Sequence, residues 1–284
     1  MEIQIPDTPL IVLDAGTGIR HLGKVLLKRL FAGEPLNPLS KDPTTAREIH
    51  LFLSHYHWDH LQGFPFFGPG FIPGPMKVNI FFYGKKNTQQ RLSQVLSGLQ
   101  QCPNFPIEWD DMPCGKNFIE LGRMESDSIK IGQAQIHYQQ LTHPDVVFAY
   151  SVSAFGKKFI FATDTEHKDI PDPRLVKLAR DGNALYYDSQ YLPEEYAGTP
   201  GTLTGAMSKL DWGHSTYEWA VRNALAANVK TVVLGHHEPE RDDFQLEALY
   251  ERAVRFAQEE VKAPGNKGKQ LEVVLAFQGL QQEL

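Results

Sequence analysis

Apolar residues along this chain fall into short runs separated by polar, Gly- and Pro-rich stretches, the rhythm of strands alternating with helices. Pro9–Asp14 (PLIVLD) is one such run and ends in AGTG, after which Ile19 to about Phe31 repeats at helical spacing. Further strands are predicted at Ile49–Ser54 (IHLFLS), Val78–Tyr83, Gln135–Leu141, Phe148–Ser153, Lys158–Thr163, Ala184–Asp188, Thr231–Leu234 and Leu271–Phe277. Helices fit Gln89–Gln101, Pro173–Arg180, Tyr217–Ala227 and Phe244–Glu260. Pro and Gly mark irregular segments at 34–44, 63–76, 103–115 and 193–213, and no repeat or low-complexity tract interrupts the pattern. Interleaved strands and helices predict sheets covered by helices, one α/β domain over residues 1–284.

Composition adds limits rather than a function. With 284 residues, 42% of them hydrophobic and 22% charged, the chain has ample material for a core. No run of about 18 apolar residues occurs, and the first residues lack a basic region followed by an apolar stretch. These features predict no membrane partner and a cytoplasmic location. A net charge of −6 weighs against a long RNA or DNA partner but leaves a small phosphorylated ligand open. Cys102 and Cys114 lie in a Pro-rich stretch, neither in a CxxC pair, and are expected to be reduced thiols.

Candidate chemistry is concentrated in Ser54-His55-Tyr56-His57-Trp58-Asp59-His60, directly after the predicted strand IHLFLS. Three histidines and a carboxylate at a strand's end form a dense nitrogen and oxygen donor set, suited to zinc and also to manganese or iron. A lone histidine is more often a satisfied core or surface residue; four ligand types at this spacing outweigh that reading.

The HxHxDH spacing resembles the signature of the metallo-β-lactamase fold, and later motifs follow in that family's order. His143 ends QIHYQQLTH, Asp164 ends KFIFATD, and His236 follows TVVLG; the resemblance runs from Asp14 to His237. It implies an αββα sandwich and two divalent metal ions, zinc first, with manganese or iron as alternatives. One ion would take His55, His57 and His143; the other would take Asp59, His60 and His236, with Asp164 bridging. Leu13–Gly18 (LDAGTG) is similar to the family's LDxGxG turn, with Asp14 orienting a ligand histidine. Members usually carry a further strand or two before that turn, so a sandwich lacking its first strand or strands is expected.

The same resemblance extends to mechanism. Gly213-His214-Ser215-Thr216 resembles the HST motif of phosphodiesterase branches, including the tRNA 3′ endonuclease RNase Z, which implies His214 as phosphate contact or general acid. Asp188, in LYYDSQY, is expected to orient His214. His167 is either supporting or structural, and His21, His50 and His137 are expected to be structural. Two divalent ions set against Asp59, Asp164 and a shared hydroxide leave about one net positive charge, a site suited to an anion. RNase Z proteins usually insert a long Gly-rich arm between the residues matching His143 and Asp164. Here those residues are 21 apart, room for one hairpin, which disfavours tRNA processing.

The segments SHYHWDHLQGFPFF, LTHP, ATDTEH and GHHEP are similar to bacterial and phage hydrolases near the cyclic-nucleotide phosphodiesterases. That likeness implies hydrolysis of a small phosphodiester, foremost a 3′,5′-cyclic nucleotide. Asp59 and His214 would be catalytic; His214, His237 and Phe64 would meet the substrate. Phe64, Phe66 and Phe67 fit either a base-stacking wall or the core. Leu192–Leu210 reads as a lid or subunit-contact loop, with a homodimer expected. The alternatives are another cyclic phosphate or short oligonucleotide, a lactone, thioester or β-lactam hydrolase, or a metal-binding module without turnover.

Overall fold

The run Leu10–Leu13 is apolar at every position and buried at every position, the mark of a strand covered on both faces. In the computed structural model, which describes residues 1–86, 90–122 and 128–284, it is β2, preceded by a two-residue β1 (Glu2–Ile3). Strands β3 (Glu48–Phe52), β4 (Asn79–Lys85) and β5 (Gly115–Leu121) complete a sheet in the order β1-β2-β3-β4-β5. Only β1 runs antiparallel to its neighbour; the β2-β3, β3-β4 and β4-β5 pairs are parallel. Helix α1 (Ile19–Phe31) buries Ile19, Gly23, Leu26 and Leu30, one stripe at helical spacing. These meet Leu10, Val12, Ile49, Leu51, Ile80 and Phe82 of the sheet in one apolar core. Of the helix predicted at Gln89–Gln101, Gln89 lies outside the described residues, and α2 (Leu92–Ser97) followed by a 3-10 turn (Gly98–Gln100) occupies the rest. This first compact unit comprises residues 1–122 with Ile129–Gln135, which carry the three-residue β6 (Ile129–Ile131).

The second unit runs from Ile136 to Leu284. It holds most of β7 (Ala134–Leu141), then β8 (Val147–Ala154), β9 (Lys157–Ala162), α3 (Pro173–Ala179), β10 (Ala184–Asp188) and α4 (Pro193–Tyr196). After them come α5 (Tyr217–Ala226), β11 (Thr231–Gly235), α6 (Asp243–Glu260) and β12 (Glu272–Leu275). Six strands lie in the order β12-β11-β10-β9-β8-β7, with β9 through β12 parallel and β8 antiparallel to β9. The β8-β9 hairpin closes through Phe155 and Gly156, both at positive φ (49° and 74°), the twist a two-residue turn requires. Hence the chain from His143 to Asp164, 21 positions apart, forms one hairpin. Ile160, Ala162, Leu185, Tyr187, Val232 and Leu234 of the sheet pack with Ala220, Val221 and Ala224 of α5 and Ala253 and Ala257 of α6. Asp242 caps α6 by accepting from the Gln245 amide at 2.8 Å, and the Gln245 side chain returns to the Asp242 amide at 3.0 Å.

Strand β5 went unpredicted for a physical reason. It is an edge strand with mostly half-exposed or exposed residues, so GKNFIEL carries no clear alternation and is defined by pairing with β4. Cys102 is exposed, Cys114 is buried, and both are free thiols. Among the described residues no helix is long and apolar enough to cross a membrane.

Candidate metal centre

Parallel strands send their carboxyl ends to a common edge, and in each unit that edge collects the polar side chains. In the first unit, β2 and β3 are in register from Leu10↔Ile49 to Leu13↔Phe52, so the chain leaves both strands side by side at Asp14 and Leu53. Asp14 then accepts from the Ser54 amide (2.7 Å), the Ser54 hydroxyl (2.8 Å) and Nδ1 of His60 (2.7 Å). The Ser54 oxygen lies 3.1 Å from His55 Nδ1. With both Nδ1 atoms donating inward, the neutral rings of His55 and His60 carry their lone pairs at Nε2, the form a metal requires. The His55 ring centroid lies 4.5 Å from that of His57 and 4.3 Å from that of His60, and Asp59 Oδ2 is 3.0 Å from His60 Nε2. The four donors of the HxHxDH motif are therefore gathered, not merely consecutive.

In the second unit the exits of β9, β10 and β11 bring Asp164, Asp188 and His236 together, since Ala162 pairs with Tyr187 and Asp188 with Gly235. His236 Nε2 lies 3.3 Å from Asp164 Oδ2, and its Nδ1 lies 3.5 Å from Asp188 Oδ2. One ligand atom from each of Asp164, Asp188, His214 and His236 falls within 4.8 Å of the others. His143, two residues beyond β7, has Nδ1 3.1 Å from the Asp145 carbonyl oxygen. Asp14, Asp164 and His236 all sit at positive φ (58°, 48° and 54°), a left-handed turn at each strand exit. Such turns cost on the order of 1–2 kcal/mol in L-residues and concentrate where side chains are being aimed.

His214 is held by a carboxylate. Its Nδ1 donates to Asp188 Oδ2 at 2.9 Å, and the other Asp188 oxygen accepts from the Ser215 amide at 3.0 Å. Asp188 is fully buried and orients the imidazole, as expected from the sequence. Gly213, just before it, has φ of 89°, and a Cβ there would lie 2.1 Å from His143 Cδ2. Only glycine lets this turn lie against His143.

Glu166 is a residue the sequence reading did not single out. Buried, it accepts from the Tyr196 hydroxyl (2.6 Å), the Asp211 amide (2.7 Å) and the Gly213 amide (3.0 Å), fastening the segment that presents His214. Its place two residues after Asp164 was the available signal. Burial, with Glu166 beside it, raises the Tyr196 hydroxyl's pKa, so this tyrosine stays a donor.

One expected substrate contact is placed elsewhere. Phe64 is 0% exposed and packs between Phe67, Phe82 and Trp109; its faces belong to the core, and Phe66 is the exposed ring. His237 sets Nε2 3.1 Å from the Ala276 carbonyl, and its Nδ1 is buried. His167 is structural: Nδ1 meets Ser215 Oγ at 3.0 Å, the ring stacks on Trp219, and burial lowers its pKa to about 4.

The donor set fits a borderline divalent cation. Imidazole nitrogens dominate, carboxylates supply the anionic charge, and the Nδ1 atoms of His55 and His60 are tied inward. The buried carboxylates Asp164 and Asp188 likewise call for positive charge nearby.

Residues 10–237 match the family model for the β-lactamase superfamily domain. Ribonuclease Z of Picrophilus torridus is 21% identical over 238 residues, 69% of this chain and 71% of that protein. Among solved structures, the metallo-β-lactamase fold protein YhfI from Bacillus subtilis superposes with a TM-score of 0.60 at 16% identity, over 96% of this chain and 86% of that one. Unliganded yeast PDE1 does so with a TM-score of 0.59 at 14% identity, over 96% and 90%.

Proposed function

The chain belongs to the β-lactamase superfamily, as a metal-dependent hydrolase of the metallo-β-lactamase fold, and from that premise we propose that it falls in the RNase Z-like and phosphodiesterase branch and hydrolyses a small phosphodiester, foremost a 3′,5′-cyclic nucleotide. The observation that carries this reading is the Asp188–His214 pair, which sets a carboxylate-backed imidazole 3.9 Å (Nδ1 to Oδ1) from Asp164. A proton donor is what an alkoxide leaving from phosphorus needs.

The proposed cofactors are two divalent cations, zinc first, with manganese or iron as alternatives. His55, His57 and His143 would hold one; Asp59, His60 and His236 would hold the other, with Asp164 shared. When bound, they supply the positive charge that acidifies a water and offsets the charge of the phosphoryl oxygens. In the proposed reaction the water's oxygen adds to phosphorus as the P–O bond to the leaving alcohol breaks. His214 contacts the phosphoryl group and delivers a proton from Nε2 to the departing oxygen. Its Nδ1–H donates to Asp188 throughout, which holds the ring in place for the transfer. The water's proton leaves through the half-exposed Asp59 carboxylate. The single β8-β9 hairpin supports a small substrate over tRNA, because no arm stands between His143 and Asp164 to grip one. A cytoplasmic homodimer, with Leu192–Leu210 at the subunit contact, completes the proposal; exposed Leu203, Met207 and Leu210 support that role for the loop.

Turnover of bis(p-nitrophenyl) phosphate with zinc or manganese, measured beside nitrocefin and a lactone, tests the reaction class, and a panel of purine and pyrimidine cyclic nucleotides tests the substrate. Phosphodiester turnover alone is expected, reduced by about 100-fold or more in His214→Ala. Hydrolysis of nitrocefin or the lactone with the phosphodiesters inert would overturn the proposal.

A further inference from the structure

With Phe64 committed to the core, the question of what meets the non-phosphate part of the substrate passes to aromatic rings that are open beside the donors. Trp58, 73% exposed, lies between His57 and Asp59, and Trp212, 46% exposed, lies two residues before His214. Trp212 differs in being held. The Lys209 ammonium sits 4.5 Å from its ring centroid, itself only 5% exposed and donating to the Thr204 carbonyl at 3.1 Å. The same ammonium is 6.0 Å from the Tyr191 ring, whose edge meets His214 with centroids 6.0 Å apart. The backbone is fixed as well: the Trp212 amide donates to the Lys209 carbonyl at 3.1 Å, and the next residue, Gly213, donates to Glu166 and packs on His143. A large ring is thus anchored by a buried cation, within one residue of His143's neighbour and two of His214, and left half open.

We propose that Trp212 is a specificity-determining residue, the platform on which a nucleobase stacks, so that the substrate is a nucleoside phosphodiester rather than a diester of aliphatic alcohols. The proposal rests on the phosphodiesterase reading and adds what recognises the base. An aromatic face holds any base, and a cation against the ring draws its π density and favours electron-rich purines. Pre-set by Lys209 and Glu166, the ring loses little freedom when it is covered.

The test uses the zinc-loaded protein and two independent readouts. Titration with adenosine 5′-monophosphate should quench tryptophan fluorescence, and Trp212→Phe should abolish that quench while the other tryptophans (58, 109 and 219) remain. Calorimetric affinity for the same nucleotide should fall about tenfold in Trp212→Ala and be largely kept in Trp212→Phe. With adenosine 3′,5′-cyclic monophosphate as substrate, Trp212→Ala should raise KM about tenfold with kcat within about twofold. With glycerol 1,2-cyclic phosphate, which has no ring to stack, both constants should stay unchanged. Binding through Trp212 without turnover of either diester would leave the platform standing and remove the phosphodiesterase reading. Absence of nucleotide binding in the wild-type protein, an affinity untouched by Trp212→Ala, or an equal KM rise for both substrates would overturn the platform.

Discussion

At the scale of single residues, the donors depend on neighbours that are not themselves donors. Asp14 fixes the tautomer of His60 directly and that of His55 through Ser54. Removing the charge in Asp14→Asn, which tolerates the local φ of 58°, should therefore weaken metal affinity about 10–100-fold while the fold persists. Competition with a chromogenic chelator would read that loss; an unchanged affinity would mean that the tautomer is set elsewhere. Gly213 works by absence of a side chain. Gly213→Ala should cost about 1–3 kcal/mol in urea unfolding, because the new Cβ meets the His143 ring and the backbone is left-handed. A stability equal to wild type would show that the turn relaxes freely.

At the scale of elements, the β3-β4 pair carries a pH-sensitive contact that takes no part in the proposed proton transfers. His50 is buried in β3, stacked on Phe81 of β4 with centroids 4.7 Å apart, and its Nδ1 lies 2.9 Å from the Tyr83 hydroxyl. Burial lowers its pKa from 6.5 to about 4, so the folded state holds it neutral. The unfolded chain takes up that proton near its ordinary pKa of about 6.5. Its contribution is therefore complete above about pH 6.5 and lost as pH falls toward about 4, on the order of 2–3 kcal/mol. Urea midpoints of metal-free protein should fall between about pH 7 and about pH 5, and less so in His50→Phe. Identical slopes in the two proteins would remove His50 as a source.

At the scale of the whole molecule, each unit has its own core, and the family match at residues 10–237 takes in parts of both. Metal held by the proposed ligands should count as folding energy. Cations at about a thousand times their dissociation constant add about 4 kcal/mol, equivalent to roughly 10 °C in melting temperature. Calorimetry with EDTA, then with zinc restored, should show that fall and its recovery. A melting temperature indifferent to the chelator would sink the ligand assignment.

Most of the fold was legible because burial writes itself into periodicity: strands covered on both faces read as apolar runs, and α1 and α6 as spaced stripes. The donors were legible because HxHxDH and the strand-end acids are dense in residue types that are costly to bury without purpose. Edge strand β5 was not, since a strand solvated along much of its length has no pattern to show. Nor were the places of Phe64, His237 and Trp212, because an aromatic or histidine side chain is equally at home in a core or beside a ligand. That choice depends on which backbone passes behind it, and so only the tertiary structure could make it.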